Sequence, residues 1–546
     1  MSRFEESAWS IAIIAAAFVI GALVLVRPGM PSDPTADEFS AERAMRHVAE
    51  VAQVPHPLGS VENAAVREYL VEELTALGLS PELQTVPATD YFGTGGQIEA
   101  FNVMARIPGS ASSGSVLLMA HYDSHPATPG ANDNATAVAA LLETGRALLA
   151  GEPLTNDVIL LFTDGEEPAP QYGASAFVAD HPWMAEVAFA MNFEAAGESG
   201  PSVLVQTGEA QAWTIDRIAA GVSRPAAFSF LTATVALFGE IGTDFDAFLA
   251  AGTEGIHVSY LRGSSIYHTQ RDNLDRVSLR SMQHHGAYAL GLTRELGGID
   301  LAAAQAEREA TFFTMAPGMV VRYPAAWAVP LALLTLLTAM AAEMREARLR
   351  TVFARAGVAF LGVIGMAVLA TLVWLVIVAV RPEMGVAEAY VYAVGVLGAM
   401  LAFLWWWRRR RAGTSGPRGE VVLWALLAVA ASLGMPGMAY LFTWPALVAA
   451  VSLLAWPVTS ATAARLRLFV VATVVATIVV PALDVFLAMA QPRPGNLDSE
   501  LTATFAVVAL LAMLAAELVL RFVRPEATPT SDGDPGQLEV AAITSA

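Results

Sequence analysis

The stretch VLLMAHYDSHPATPGANDN, residues 116–134, decides the fold of this chain. Its apolar run 116–120 is bounded by turn-forming residues and predicts a buried strand. The strand ends at His121, and Asp123 follows on the same face because successive side chains of a strand alternate between its two faces. A His beside a carboxylate is typical of a metal ligand and the group that orients it. Asp133 follows ten residues after Asp123, within a Gly- and Asn-rich segment.

The composition divides the chain into two physical classes. Its 546 residues are too many for one ordinary domain, and a hydrophobic content of 55% is too high for a wholly soluble protein. Residues 1–320 contain 15 Arg and 38 Asp or Glu, whereas the remainder contains 16 Arg and 13 acidic residues. Such an acidic first part disfavours nucleic acid as a partner, because phosphates would be repelled. The absence of Cys excludes disulfides and thiolate metal sites.

Residues 34–310 predict an α/β domain. Strand-like runs near 101–107, 116–120, 158–162, 187–193 and 255–260 alternate with helical patterns near 135–150, 171–179, 210–222, 244–251 and 279–296. This alternation predicts a mixed, largely parallel central sheet flanked by helices. Active sites of open α/β sheets form beyond the carboxyl ends of the strands. The polar clusters of this chain follow directly after its predicted strands, so we expect a site at that edge.

Four of these polar residues stand where a buried charge needs a partner. Glu166 and Glu167 are adjacent after the run 158–162, and neighbouring carboxylates repel one another unless a cation or solvent is present. Glu194 ends the next apolar run, and His268 follows a Gly-Ser-Ser loop. Charges at the ends of hydrophobic strands require compensation. Oxygen and nitrogen ligands of this kind, one of them shared, would make a two-metal centre.

The rest of the chain predicts a membrane protein. Residues 1–33 contain an apolar run, 9–26, of membrane-spanning length, which we interpret as an uncleaved transmembrane anchor; a cleaved signal peptide is the alternative. Residues 311–524 predict an all-α domain of seven further runs, near 324–342, 356–380, 387–407, 420–438, 441–457, 466–488 and 500–520. The pair around 434–437 could instead form one re-entrant hairpin. Residues 525–546 predict a disordered cytoplasmic tail.

The distribution of Arg predicts the orientation in the membrane. Alternate loops at 343–355, 408–418, 459–467 and 521–524 hold 13 Arg in all, against only Arg381 and Arg493 on the other side. Because Arg-rich loops remain cytoplasmic, about eight spans are expected, with both termini inside and the α/β domain outside. The single glycosylation sequon, at Asn134, adjoins Asp133, where a glycan would block the site. The plasma membrane of a prokaryote is therefore favoured over an organelle membrane.

The order of the motifs resembles a known family. HxD, GAND, DGEE, NFEAAG and YHTxxDN follow one another as in the co-catalytic zinc exopeptidases of the M28 aminopeptidase family, over about residues 40–300. The apolar half is similar to the endoplasmic-reticulum metallopeptidase and vacuolar membrane protease branch. Pro168, Ala169 and Pro170 depart from the family pattern, so specificity cannot be transferred. This resemblance implies an extracytoplasmic peptidase domain with the zinc exopeptidase fold.

The resemblance also implies two Zn²⁺ ions per chain and a role for each site residue. The implied ligands are His121, Asp133, Glu167, Glu194 and His268. Asp133 would bridge the ions. His121 and Glu194 would complete the protein ligands of one ion, and Glu167 with His268 those of the other. Glu166 would be the general base, and Asp123 would orient His121. A cis peptide bond is implied between Asp133 and Asn134.

These observations predict a membrane-anchored dinuclear zinc exopeptidase, with an aminopeptidase favoured, whose partners are peptide substrates and the lipid bilayer. The alternatives are a glutaminyl-cyclase-like acyl transferase on the same fold, working with one metal, and a non-catalytic receptor or scaffold. The oligomeric state and the side-chain preference stay open.

Three further predictions concern polar residues outside the ligand set. We interpret His284 and His285 as a solvated helix face, since adjacent residues of a helix do not face one ligand. Tyr260 and Tyr267 are candidate oxyanion donors or packing residues. Asp484, inside a predicted span, is either functional or a water-facing residue at a helix end.

Overall fold

A computed structural model describes residues 3–25, 27–167, 171–237, 239–303, 308–345, 347–382, 384–410, 419–456, 458–491 and 499–523. In chain order, the helices and strands of the first part are α1 (Arg3–Val24), α2 (Ala41–Val51), α3 (Val61–Ala76), β1 (Glu82–Thr89), β2 (Gln97–Ile107), β3 (Ser115–His121), α4 (Thr136–Ala150), β4 (Asp157–Thr163), α5 (Tyr172–Asp180), β5 (Val187–Ala195), β6 (Val203–Thr207), α6 (Gln211–Gly221), α7 (Ser229–Ala236), α8 (Phe245–Ala250), β7 (Gly255–Tyr260), α9 (Leu279–Gly297), β8 (Ala310–Ala316) and β9 (Met319–Pro324). The second part contains α10 (Ala328–Met344), α11 (Leu349–Val380), α12 (Val386–Arg410), α13 (Glu420–Gly434), α14 (Tyr440–Ala455), α15 (Ala461–Met489) and α16 (Ser499–Leu520). The predicted tail at 525–546 lies outside the described residues.

The first part is built on one seven-stranded sheet in the order β1-β2-β4-β3-β5-β7-β6. Its four central strands, β4, β3, β5 and β7, are mutually parallel. The outer strands β1, β2 and β6 pair antiparallel. The predicted mixed, largely parallel α/β fold is therefore confirmed. The carboxyl ends of β3, β4, β5 and β7 reach the same edge of the sheet, which is where the polar clusters begin.

Strand β3 is buried on both faces, which explains why its sequence is continuously apolar. All seven of its residues are buried. Leu118 packs into the core that contains Leu141 of α4 and Leu292 of α9. Leu117 points the other way, into a core with Phe177 of α5. A strand covered by helices on both sides reads as an unbroken hydrophobic run, and burial of each Leu side chain contributes roughly 1.5–3 kcal/mol.

Each apolar run that was predicted to span the membrane contains a helix in the structure. Five of them, among the residues that the structure describes, are long and apolar enough to cross a membrane by length and composition. The apolar part of α1, Ala8–Val24, and helices α13 and α14 are shorter than these five spans. Several large apolar side chains on the long helices face outward, including Leu361, Val376 and Val380, which are 69%, 64% and 71% exposed. Such outward apolar surface is suited to lipid rather than water. The count of eight spans and the orientation stay predictions.

The two parts of the chain are packed against each other. We call residues 34–310 the α/β domain and the residues from 325 to 523 that the structure describes the helical domain. The β8–β9 hairpin lies between them, and Phe313 of β8 stacks on Tyr440 of α14 at 4.5 Å between ring centroids. Phe230 of α7 packs against Phe486 of α15 at 4.9 Å. The helical domain therefore supports one side of the sheet through aromatic contacts as well as through the covalent connection.

Candidate metal centre

His121, the last residue of β3, is oriented by a backbone carbonyl. Its Nδ1 lies 3.0 Å from the carbonyl oxygen of Asp123. Because a carbonyl only accepts hydrogen bonds, Nδ1 carries a proton, which leaves Nε2 as the nitrogen that can bind a cation. Nε2 lies 3.4 Å from a carboxylate oxygen of Asp133 and 3.4 Å from one of Glu194. The local hydrogen bond thus turns Nε2 toward two carboxylates. Burial opposes protonation of His121, but the charges of Glu194 and Glu166 outweigh it and raise the pKa of this imidazole well above its usual value in the protein without cations.

The carboxylate of Asp123 holds the segment that carries the adjacent Glu residues. It accepts hydrogen bonds from the backbone N–H groups of Glu166 at 3.1 Å and Glu167 at 3.2 Å. Its nearer oxygen is 3.5 Å from Nδ1 of His121. Asp123 therefore contacts His121 mainly through its carbonyl, while its carboxylate links the end of β3 to the loop after β4. This second contact was missed by the sequence reasoning.

Asp133 is positioned by a buried hydrogen-bond network. The carboxylate of Asp272 accepts hydrogen bonds from the backbone N–H groups of Asn132 at 2.8 Å and Asp133 at 3.1 Å. The buried Tyr260 hydroxyl donates to the side-chain oxygen of Asn132 at 2.9 Å. The Asp133–Asn134 peptide bond is cis, as the resemblance implied. Tyr260 therefore supports the loop of Asp133, which leaves its hydroxyl engaged and unsuited to the role of an oxyanion donor.

The predicted ligands form two groups that share Asp133. One group contains His121, Asp133 and Glu194, and the other contains Asp133, Glu167 and His268; within each, the candidate ligand atoms lie within 4.8 Å of one another. His268 Nε2 is 3.0 Å from an oxygen of Glu167 and 3.4 Å from Asp133 Oδ2. The other oxygen of Asp133 faces His121. Asp133 is thus placed to contribute one oxygen to each group.

The donor set fits divalent cations. In the described part of the chain, one buried oxygen each of Asp133, Glu167 and Glu194 has no hydrogen-bond partner. An unsatisfied buried acceptor costs about 1–3 kcal/mol, and more when it is charged. The ion pairs that these carboxylates make within the described residues are with His121 and His268. Imidazole nitrogens with carboxylate oxygens, without thiolates, suit Zn²⁺.

In the protein without cations, the crowded carboxylates raise the pKa of neighbouring groups in the cluster. Burial, together with the charge of Asp133, raises the pKa of Glu167 to about 7. Burial opposes protonation of His268, but the carboxylates of Asp133 and Glu167 outweigh it and raise the pKa of this imidazole to about 10. Binding of a cation would therefore displace protons from this cluster.

Glu166 lies beside the two groups and belongs to neither. Its side chain is 12% exposed, and one carboxylate oxygen is 3.9 Å from His121 Nε2. Burial raises the pKa of Glu166 well above its usual value, and the charges of Glu194 and Asp244 add to that increase. A carboxyl group at this place, with a high proton affinity and a path to solvent, is suited to accept and return a proton.

Sequence reasoning was wrong about His284 and His285. Both are buried, at 3% and 0% exposure. His285 makes contacts of 2.8 Å with the Ser202 hydroxyl and 3.1 Å with the backbone oxygen of Glu194. His284 accepts the backbone N–H of Ser202 at 2.9 Å and is 2.8 Å from the carbonyl of Arg224. Adjacent residues of α9 are both covered because the helix is enclosed on more than one side.

Sequence reasoning missed one residue near the centre, Asp244. Asp244 is fully buried and accepts a hydrogen bond from the Thr163 hydroxyl at the end of β4. His125 stacks on His268 at 4.5 Å between ring centroids, and Tyr267 stacks on His268 at 3.8 Å. A carboxylate at the start of a predicted apolar helix was the only signal for Asp244. The segment Pro168–Pro170, where the family pattern is broken, lies outside the described residues.

An α/β sheet with two adjoining groups of His and carboxylate ligands at its strand ends is typical of metal-dependent hydrolases. Residues 102–293 match the model of peptidase family M28. The chain therefore contains a peptidase M28 domain. This domain spans β2 to α9 and includes every predicted ligand.

The chain is similar to an endoplasmic reticulum metallopeptidase and to a vacuolar membrane protease. It is 29% identical over 310 residues to rat endoplasmic reticulum metallopeptidase 1, covering 53% of this chain and 34% of that protein. It is 30% identical over 250 residues to a vacuolar membrane protease of Candida dubliniensis, covering 43% and 26%. The chain thus spans about a quarter to a third of the length of these relatives. Together with the five apolar helices, the similarity supports a membrane protein.

Solved structures are similar to about half of this chain. A Zn-dependent exopeptidase from Parabacteroides distasonis is 20% identical, with a TM-score of 0.39, covering 48% of this chain and 99% of that one. A Porphyromonas gingivalis glutaminyl cyclase is 21% identical, with a TM-score of 0.38 and coverage of 48% and 99%.

Proposed function

We propose that this protein is a membrane-anchored dinuclear zinc exopeptidase that removes amino-terminal residues from peptides. The observation that carries the proposal is the pair of ligand groups that share Asp133, with Glu166 beside them. The order of the motifs and the M28 domain support a peptidase, and the choice of an aminopeptidase rests on the resemblance of the motifs.

His121, Asp133 and Glu194 would hold one zinc ion, and Asp133, Glu167 and His268 the other. When bound, two Zn²⁺ ions supply Lewis acidity, which polarises a peptide carbonyl and acidifies water. A carboxylate oxygen of Glu166 accepts the proton of the attacking water and then delivers it to the nitrogen of the leaving amine. The carboxylate of Asp123 holds Glu166 in place by accepting a hydrogen bond from the backbone N–H of Glu166.

The membrane arrangement is part of the same proposal. Eight spans would place both termini in the cytoplasm and the peptidase domain outside, in the plasma membrane of a prokaryote. The 13 Arg residues of the alternate loops support this orientation, because Arg-rich loops remain cytoplasmic. Helices α12 and α15 contact the α/β domain at the ends that lie away from these loops in the sequence. At the contacting end, Asp484 near the end of α15 and Tyr390 near the start of α12 approach Arg262.

The test uses the full-length chain purified in detergent with added Zn²⁺. Metal content is measured by mass spectrometry, and a peptide library is digested and analysed for which terminus is shortened. We expect two zinc ions per chain and free amino acids released from the amino terminus. Release from the carboxyl terminus would overturn the aminopeptidase assignment. One bound metal with cyclisation of amino-terminal Gln would favour the acyl transferase, and loaded protein that modifies no peptide would favour a receptor.

A further inference from the structure

The loop that carries His268 is held by a helix of the helical domain. This loop, residues 261–268, follows β7. The guanidinium of Arg262 donates to one carboxylate oxygen of Asp484 on α15 at 2.6 Å. The Tyr390 hydroxyl of α12 donates to the other oxygen of Asp484 at 2.9 Å. Both oxygens of this carboxylate are therefore engaged, one by the loop and one by the neighbouring helix.

A second contact holds the next residues of the loop. The backbone N–H of Gly263 donates to the side-chain oxygen of Gln491 at 2.7 Å, and Ser264 Oγ donates to the backbone oxygen of Gln491 at 3.3 Å. Gly263 has a φ of +87°, and a Cβ there would come within 2.8 Å of Val386 at the start of α12. An added Cβ would come closer still to Glu198, so glycine at this position lets the loop fit between the segment after β5 and the start of α12.

Arg262 also connects this loop to the strand that carries Glu194. Its carbonyl accepts the backbone N–H groups of Glu198 at 2.8 Å and Ser199 at 3.0 Å, in the segment after β5. Its own N–H donates to the carbonyl of Ser199 at 3.0 Å. One residue therefore joins three parts of the chain: the segment that follows β5, the strand of Glu194; the loop after β7, which carries His268; and helix α15.

His268 has a backbone conformation that needs such support. Its φ is +55°, in the left-handed region that a residue with a side chain adopts at a cost of order 1–3 kcal/mol. Such a conformation persists only where the surrounding structure holds it. The segment before His268, Ser264 to Ile266, is buried. On α15, Phe486 also packs on Phe230, which seats the helix against the α/β domain two residues from Asp484.

We propose that Asp484 is a positioning residue: through Arg262, helix α15 sets the place of His268, so that the helical domain maintains the metal centre and does not only anchor it. The proposal rests on the proposed function for its kinetic consequence, but the hold on the loop can be measured without activity. It also accounts for a carboxylate near the end of a predicted span.

The test compares Asp484→Asn with wild-type protein, both full-length and in lipid nanodiscs loaded with Zn²⁺. Removing the charge weakens the contact with Arg262 while the side-chain volume is kept. We expect zinc loss to a chelator to accelerate about tenfold, and kcat to fall by a similar factor with KM within twofold, as when a partner of a metal ligand is removed. Hydrogen exchange at residues 261–268 should accelerate as well.

The matched control is Glu388→Gln. Glu388 pairs with Arg381 at 3.0 Å, on α12 near the same end of the helical domain, and both side chains are about half exposed. This variant also loses one carboxylate charge, yet it does not touch the loop, so we expect wild-type zinc release and kinetics. Equal behaviour of Asp484→Asn and the control would overturn the proposal.

Exchanging the charges of Arg262 and Asp484 tests the proposal even if the single variants fold poorly. We expect Arg262→Asp to accelerate zinc loss, and the double variant Arg262→Asp with Asp484→Arg to recover at least part of the wild-type rate, because the pair is restored with its signs reversed. No recovery in a folded double variant would contradict the proposal. If wild-type protein binds zinc but cleaves no peptide, the proposed function fails, whereas zinc release and hydrogen exchange still decide the positioning role.

Discussion

The carboxylate of Asp123 accepts a hydrogen bond from the backbone N–H of Glu166 at 3.1 Å. This bond connects the end of β3, where His121 lies, to the loop after β4. The candidate base and a candidate ligand are therefore held by the same residue. Since the carbonyl of Asp123 also orients His121, a change in its side chain is expected to affect the base more than the metal.

Asp123→Asn should lower kcat about 10- to 100-fold, the usual effect of altering a group that supports a metal site, while most of the zinc is retained. The amide still accepts one backbone N–H but cannot serve both Glu166 and Glu167 with equal strength. The measurement is steady-state kinetics combined with metal analysis. Loss of zinc in proportion to activity would instead show that the carboxylate acts chiefly on His121.

Glu166→Gln should retain both zinc ions and lose about 10²- to 10⁴-fold in kcat, since general base catalysis contributes about that much. Gln has nearly the same shape but cannot take a proton from water. Metal content per chain and single-turnover peptide cleavage are the readouts. A rate within twofold of wild type would assign the proton transfer to another group.

His268→Ala should reduce the zinc content from two ions to one, because its imidazole belongs to only one ligand group. Asp133→Asn should weaken both sites, since its oxygens face both groups. Treatment of wild-type protein with a chelator should abolish activity, and added Zn²⁺ should restore it. His181→Ala, a substitution directly after α5 at a His that belongs to neither ligand group, serves as the control. Two ions retained in His268→Ala would remove this residue from the ligand set.

Gly130→Ala should disturb the loop of Asp133. Gly130 has a φ of +68°, and a Cβ there would lie 2.5 Å from the carbonyl oxygen of Asp133. Gly95→Ala is a matched control, because Gly95 has a φ of +69° but nothing within 4 Å of an added Cβ. Both variants carry the same conformational cost, so a larger loss of zinc in Gly130→Ala measures the steric effect alone. Equal zinc content in the two variants would contradict it.

The sequence by itself determined the local parts of this protein. The apolar run before His121 predicted β3 because a strand covered on both faces needs no polar residues. The positions of Asp133, Glu167, Glu194 and His268 after their strands predicted one site, since parallel strands end at the same edge. Long apolar runs predicted the helices of the second part in the same way.

Only the tertiary structure decided the contacts made across long separations in the chain. The burial of His285 depends on how α9 lies over the sheet, which the local pattern of a helix does not reveal. Arg262 and Asp484 are 222 residues apart and come together because α15 stands beneath the loop after β7. Periodicity reports which face of an element is apolar, whereas the partner of a buried charge depends on the packing of whole elements.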